Sequence, residues 1–258
     1  MLLIDAMKVK FVVADWNGTM ISDTDDSAVL KQIGEDQESY CMKRPHKWGK
    51  LIKMVKVKKT LQQMLRQYQL NPEENKELVN EMLKQYNEYV INGAPLGVIE
   101  GSILKYGNSA RFRMVHSVFE SLINTNMNDA RLGILSSALK KGIDSALGKN
   151  AMQFFWFVDG SELYANSKTA DRIELRNYHN RSEALGSHIE SMNGINPDNV
   201  VYIGDDFKDQ KCAEYVGRFV VPPLAWEKFK SHMSSRYGRK VRIAEDSAES
   251  VYKSIWQD

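Results

Sequence analysis

The sequence predicts an α/β protein: a doubly wound parallel sheet carrying a smaller all-helical cap. Three observations lead there. Short apolar runs rich in β-branched residues recur along the chain, helical patterns separate them, and the run signal vanishes between residue 20 and about residue 110. The first run, Val9–Ala14 (VKFVVA), is cut off by Asp15 and Gly18, as expected of a strand buried on both faces. Four more share its character: Arg131–Leu135, Phe154–Val158, Val200–Ile203 and Phe219–Val221. Asn180 is placed to cap a helix whose apolar face holds Ala184, Leu185, His188, Ile189 and Met192, with Gly194 at its C′ position. The stretch Val241–Trp256 reads as a last strand and an amphipathic helix.

In the strand-free segment, Asn71, Pro72 and Glu74 form an N-cap, N1 and N3 trio. After it Leu78, Val79, Met82, Leu83, Tyr86, Tyr89 and Val90 share one helical face. Gly49–Leu70 and Asp25–Glu38 are further helices, and Gly93, Pro95 and Gly97 mark the far break. This predicts a core of residues 1–20 and 111–258 with a cap at 21–110.

Composition narrows the function classes. Of 258 residues, 43% are hydrophobic and 26% charged, too apolar for a disordered chain. A net charge of +2 excludes a general polyanion binder. Two cysteines, Cys41 and Cys212, cannot build a disulfide framework or a Cys-rich zinc site, so a reducing cytoplasm is the expected location. No apolar run nears the roughly 20 residues of a membrane span, and the N-terminus MLLIDAMKVK has no signal-peptide core. No membrane partner is expected.

In an open parallel sheet, ligands sit beyond the carboxyl ends of the strands. There the sequence offers Asp15-Trp16-Asn17-Gly18-Thr19, then Ser136-Ser137, then Gly204-Asp205-Asp206-Phe207-Lys208-Asp209. A carboxylate, a hydroxyl pair and an acidic cluster converging on one edge are hard oxygen donors suited to Mg²⁺. Residues 43–59 hold eight Lys/Arg and no acid, leaving −6 on the rest. That segment reads as a solvated amphipathic helix with Leu51, Ile52, Val55 and Lys59 on one stripe, as a cationic lid steering an anionic substrate through Lys43 and Lys47, or, last, as a nucleic-acid patch around Trp48. His188 is expected in the core, His179 near the surface, and the run Phe154–Phe157 inside the sheet.

The motifs, in this order, resemble the haloacid dehalogenase-like (HAD) superfamily, whose members are mostly Mg²⁺-dependent phosphatases. The resemblance spans nearly the whole chain: D-x-D-G-T is matched by Asp15 to Thr19 except at Asn17, the second motif by Ser136, the fourth by GDDFKD, and the insertion by a C1-type cap. It implies that Asp15 attacks phosphorus and forms an aspartyl-phosphate, a two-step route. It also implies that Asp15, the main-chain oxygen of Asn17 and Asp205 hold Mg²⁺, with Asp206 or Asp209 assisting. Ser136 and Ser137 would donate to the phosphoryl group, as would main-chain amides of Trp16, Gly18 and Thr19.

Two departures stand out. The third-motif cation, normally Lys, falls to Arg181 in preference to Lys168. Asn17 replaces the acid–base aspartate, which predicts slow turnover or substrates whose leaving group needs little protonation, such as acyl phosphates. A rival within the superfamily is the phosphonoacetaldehyde hydrolase branch, with D-W-A-G-T and a Schiff-base lysine; Met42-Lys43-Arg44-Pro45-His46 is superficially similar. A non-catalytic phosphate-binding scaffold is the other alternative. The substrate implied is a small phosphorylated molecule; the oligomeric state is not readable.

Overall fold

The computed structural model describes residues 9–22, 28–70, 76–125, 130–177, 180–192 and 194–257. Seven strands form one sheet in the order β4-β3-β2-β1-β5-β6-β7: β1 Phe11–Ala14, β2 Arg131–Leu139, β3 Phe155–Ala165, β4 Ala170–Glu174, β5 Val200–Ile203, β6 Arg218–Val221 and β7 Val241–Ile243. All pairs are parallel except β3–β4. The five predicted strand runs lie within β1, β2, β3, β5 and β6. The prediction stops β2 and β3 short and misses β4, an edge strand whose sequence ADRIE has neither an apolar run nor a period-two pattern.

Period-two alternation fills both faces of the sheet. Val12, Ala14, Ile134, Val201, Ile203 and Val220 share one core with Val118, Phe119 and Ile143 from α5 (Met114–Thr125) and α6 (Lys140–Met152), and with Val251 and Ile255 from α9 (Ala248–Trp256). Phe11, Val13, Tyr202, Phe219 and Val221 face the other, packed by Leu185 and Ile189 of α7 (Arg181–Ser191) and by Phe229 and Met233 of α8 (Glu227–Tyr237).

Between β1 and β2 lies a helical segment: α1 (Ala28–Met42), α2 (Trp48–Leu70), α3 (Lys76–Tyr86) running into a π-helical turn at Asn87–Ile91, and α4 (Leu96–Ser109). The Asn71–Glu74 trio, His179 and the Lys59 side chain fall outside the described residues. The sequence reading missed α4, because Gly97, Gly101 and Gly107 mask its helical signal. The segment joins the sheet through two strands of linker. Ile21 bridges Phe112, Ser22 N donates to Arg111 O at 2.8 Å, and Arg113 N donates to Met20 O at 2.9 Å.

The aromatic run at the start of β3 is not sheet core throughout. Phe154 and Trp156 are exposed, and the Trp156 ring carries the Arg131 guanidinium at 3.9 Å. Arg131 begins the neighbouring strand, which brings its guanidinium over the exposed indole. His188 is likewise not a plain core residue: it is part-exposed, stacks on Phe157 at 3.8 Å and pairs with Asp159 at 2.9 Å.

Candidate active site

The parallel ladder sets the site. Ala14 lies level with Ile134 on one side and Ile203 on the other, and Asp15 N still donates to Ile203 O at 2.9 Å. Asp15, Ser136 and Asp205 therefore stand one or two residues past a common level of three adjacent strands, Asp15 and Asp205 beyond their strands' ends and Ser136 within β2. Strand β2 adds a bulge: between the pairs Leu135–Asp159 and Leu139–Ser161 it carries four steps against two. The extra residues turn the Ser136–Ser137 hydroxyl pair inward, as bulges beside functional sites do.

Asp15, Asp205 and Asp209 each bring a carboxylate oxygen within 4.8 Å of the other two. Two glycines make this approach possible. Gly18 sits at φ +78°, and a Cβ there would collide with the Asp205 carboxylate; a Cβ on Gly204 would lie 2.6 Å from Asp209 Cγ. Thr19 Oγ1 donates to Asp205 Oδ1 at 2.9 Å. Burial, and then the neighbouring Asp209 charge, push the Asp205 carboxyl up to about 7. Three hard carboxylates so close, one reluctant to ionise without a countercharge, are a donor set that fits Mg²⁺.

Arg181, 1% exposed at the start of α7, uses its guanidinium on four partners. Nη1 pairs with Asp15 Oδ1 at 3.2 Å and with Asp209; Nη2 donates to Ser137 Oγ at 3.1 Å, and Nε to Asn177 O at 3.3 Å. One cation thus bridges the first and fourth motifs while fixing the second. Tyr202, whose phenol burial keeps protonated, donates to Asp209 Oδ1 at 2.8 Å.

The structure separates the remaining sequence-selected residues. Ser136 is fully buried; its Oγ accepts from Ala138 N at 3.2 Å, which leaves the hydroxyl proton to donate elsewhere. Both side-chain atoms of Asn17 are buried without a hydrogen-bond partner. Asp206 lies outside the carboxylate cluster because its side chain caps the 3-10 turn Phe207–Glu214, accepting from Phe207 N, and it lies 3.6 Å from Lys208 Nζ. The Trp16 ring makes no opening to solvent: it is buried against the helical segment, with Nε1 3.4 Å from Tyr106 OH and Phe112 edge-on at 6.0 Å.

Lys168 is exposed on the β3–β4 turn, its amide held by Asn166 Oδ1 and its carbonyl by Leu96 N, both at 2.9 Å. Lys43 is exposed and Lys47 rests over the Tyr40 ring at 5.4 Å; neither contacts the carboxylate cluster among the described residues. The α1–α2 corner thus holds Lys47 and Arg44 against its own Tyr40 ring.

Sequence reading missed Asn177, Asp159 and Arg113. Asn177 is the one described non-glycine residue at positive φ (60°). Its Nδ2 donates to Ser136 O at 3.3 Å, while its carbonyl takes the Arg181 Nε. Asp159, bonded to both Asn177 and His188, is held below the usual carboxylate range: burial opposes this, but those hydrogen bonds outweigh it. Arg113, from the linker opposite, donates to Gly18 O. Asp159 directly follows the run Phe154–Val158 but stands alone there, without a motif around it; Arg113 and Asn177 follow no run, and only the left-handed asparagine has a local signal, in its residue type.

No family model matches the chain, and no curated protein matches it. Solved structures do. A phosphoserine phosphatase solved as a phospho-aspartyl intermediate analogue is similar at TM-score 0.60 and 13% identity, over 96% of this chain and 99% of that one. A HAD family hydrolase from Salmonella enterica subsp. enterica serovar Typhi is similar at 0.64 and 11%, over 98% and 73%. The cytosolic 5′-nucleotidase IIIB bound to cytidine is similar at 0.60 and 14%, over 96% and 87%. At these identities the likeness is one of fold: the chain has the HAD-like α/β architecture.

Proposed function

We propose that this chain is a Mg²⁺-dependent phosphatase acting on a small phosphorylated molecule through an aspartyl-phosphate on Asp15. The observation that carries it is the carboxylate triangle of Asp15, Asp205 and Asp209 at the sheet edge, with the buried Arg181 bridging two of its members. The fold shared with a phosphoserine phosphatase and a nucleotidase supports it. The cytoplasm, where both buried cysteines stay reduced, is the proposed location.

Asp15, the main-chain oxygen of Asn17 and Asp205 would hold Mg²⁺, with Asp209 beside them. When bound, the ion neutralises phosphoryl charge and draws substrate and carboxylates together. The chain's own groups do the rest. An Asp15 oxygen attacks phosphorus, the bond from phosphorus to the leaving oxygen breaks, and that oxygen departs with the bonding pair. Arg181 holds Asp15 in place and compensates its charge, so attack needs no reorganisation. Ser136 presents its free proton to a phosphoryl oxygen. Asn17 can hydrogen-bond the departing oxygen but cannot protonate it, so poor leaving groups go slowly. Water then cleaves the acyl phosphate and restores Asp15. The helical segment 28–109 serves as a cap, closing over the substrate and excluding water.

The test is a screen of phosphorylated metabolites with Mg²⁺, with Asp15→Asn as the blank. Phosphate release by the native chain alone is expected. Equal release by both, or by neither across acyl and alkyl phosphates, overturns the reading.

A further inference from the structure

The outer face of α2 is built unlike that of a solvated helix. Its inner face buries Met54 (2% exposed) and Val57 (8%) against the other helices. The solvated-helix reading predicts that Ile52 and Val55 lie on the packed stripe. Instead Trp48, Ile52 and Val55, spaced i, i+4 and i+7, form a second apolar stripe on the opposite side, 54%, 58% and 44% exposed. Met42, 57% exposed, stands beside its start, where Trp48 Nε1 donates to Met42 O at 3.2 Å. The stripe is therefore an ordered exposed apolar ridge, a feature that marks interaction surfaces.

Its charge selects the occupant. The stripe runs through a segment of eight cations and no acid in a chain of net +2. Several of those cations are already engaged: Arg44 stacks on Tyr40, Lys50 donates to Asn92 O and Lys58 pairs with Glu38. Lys53 and Lys56 are exposed and make no ion pair among the described residues. A second copy of this chain would bring like charge to like charge. A nucleic acid would use the lysines but leave Ile52 and Val55 facing phosphates. The ridge is a convex helix flank rather than a groove, so it suits a yielding surface better than a folded acidic partner. Tryptophan and aliphatic side chains between lysines are what an interfacial helix presents to anionic headgroups and the acyl boundary beneath them.

We infer that the outer face of α2 is a peripheral docking surface for an anionic lipid bilayer, with Trp48, Ile52 and Val55 inserting and Lys53 and Lys56 meeting the headgroups. The sequence-based expectation of no membrane partner concerned spanning segments, and no described helix is long and apolar enough to span. A surface-bound helix is a separate matter.

The experiment is co-sedimentation of the full chain with vesicles of phosphatidylcholine alone or with about 30 mol % phosphatidylserine, at about 0.05 M and about 0.5 M salt. Binding at least about tenfold stronger to the anionic vesicles, and weakened at high salt, is expected. A blue shift of tryptophan emission absent from Trp48→Phe should accompany it. Ile52→Ser/Val55→Ser and Lys53→Glu/Lys56→Glu should each lower binding about tenfold while the melting temperature and phosphatase turnover stay at the native level, since all four side chains are exposed. Three results would overturn the inference: no preference for anionic vesicles, loss with the lysine pair but not the apolar pair, or equal binding to an acidic polypeptide or RNA without lipid.

Discussion

The carboxyl edge of the sheet and the α1–α4 segment carry charge under opposite rules. At the sheet edge Asp15, Asp209 and Arg181 are buried and Asp205 is half-buried, each held by a strand end, a 3-10 turn or a helix start. On α2 Lys53, Lys56 and Lys58 are exposed, and helical periodicity decides that they face outward. Buried charge must be compensated in place, so its geometry is unique; exposed charge is compensated by water and counterions and leaves the backbone free. The proposed chemistry accordingly lies in the first region and the proposed recognition in the second.

This contrast can be broken by mutation. The largest effect belongs to the nucleophile: Asp15→Asn should lower phosphate release on the order of 10⁴-fold or more, measured against the native chain at saturating Mg²⁺. Next, Arg181→Met strips the compensating charge from Asp15 and Asp209, and should cost about 3–5 kcal/mol by urea unfolding. Arg181→Lys should recover part of that stability but little turnover, because it cannot also reach Ser137 and Asn177.

Asn17→Asp supplies the missing proton donor and should raise turnover of alkyl phosphates about 10²-fold while acyl phosphates change little. An unchanged alkyl rate would mean that leaving-group protonation is not what limits this site. On the cap side, Met54→Ala empties a buried position and should cost about 2 kcal/mol with turnover per folded molecule unchanged. A large loss of turnover instead would show that the two regions are coupled rather than separate.

The smallest effect, read per pH unit, is a pH slope. Asp205 titrates near 7 in the folded, metal-free chain and near its ordinary 3.8 when unfolded. Between those values the folded state holds a proton that the unfolded state has lost. Stability therefore falls as pH rises from about 4 to 7, by at most ~1.4 kcal/mol per unit, and levels off above. Asp205→Asn keeps the acceptor for Thr19 and should flatten this slope in chelator-treated protein while abolishing turnover.

Legibility in the sequence followed the same division. The apolar runs end where β1 and β5 end but four residues short of the end of β2, and they are still enough to select Asp15, Ser136 and Asp205, because a parallel ladder brings neighbouring strands level. Arg181 could be singled out by its place at a helix start, but not its four partners. Asp206 and Asp209 looked alike in GDDFKD; only the 3-10 turn decides that one caps and the other points inward. Lys43, Lys47 and Lys168 are singled out by charge or by nearness in sequence, and neither property determines where a side chain aims. Asn177 and Arg113 reach the site from a loop and a linker, through contacts that no periodicity encodes.

The most direct test of the central claim is peptide-resolved mass spectrometry of the chain quenched during turnover of an acyl phosphate with Mg²⁺. The account predicts one phosphoryl group, removed by hydroxylamine, on the peptide containing Asp15, and none in Asp15→Asn or with chelator present. Turnover with no phosphoryl group on Asp15, or with label on a serine instead, would contradict it.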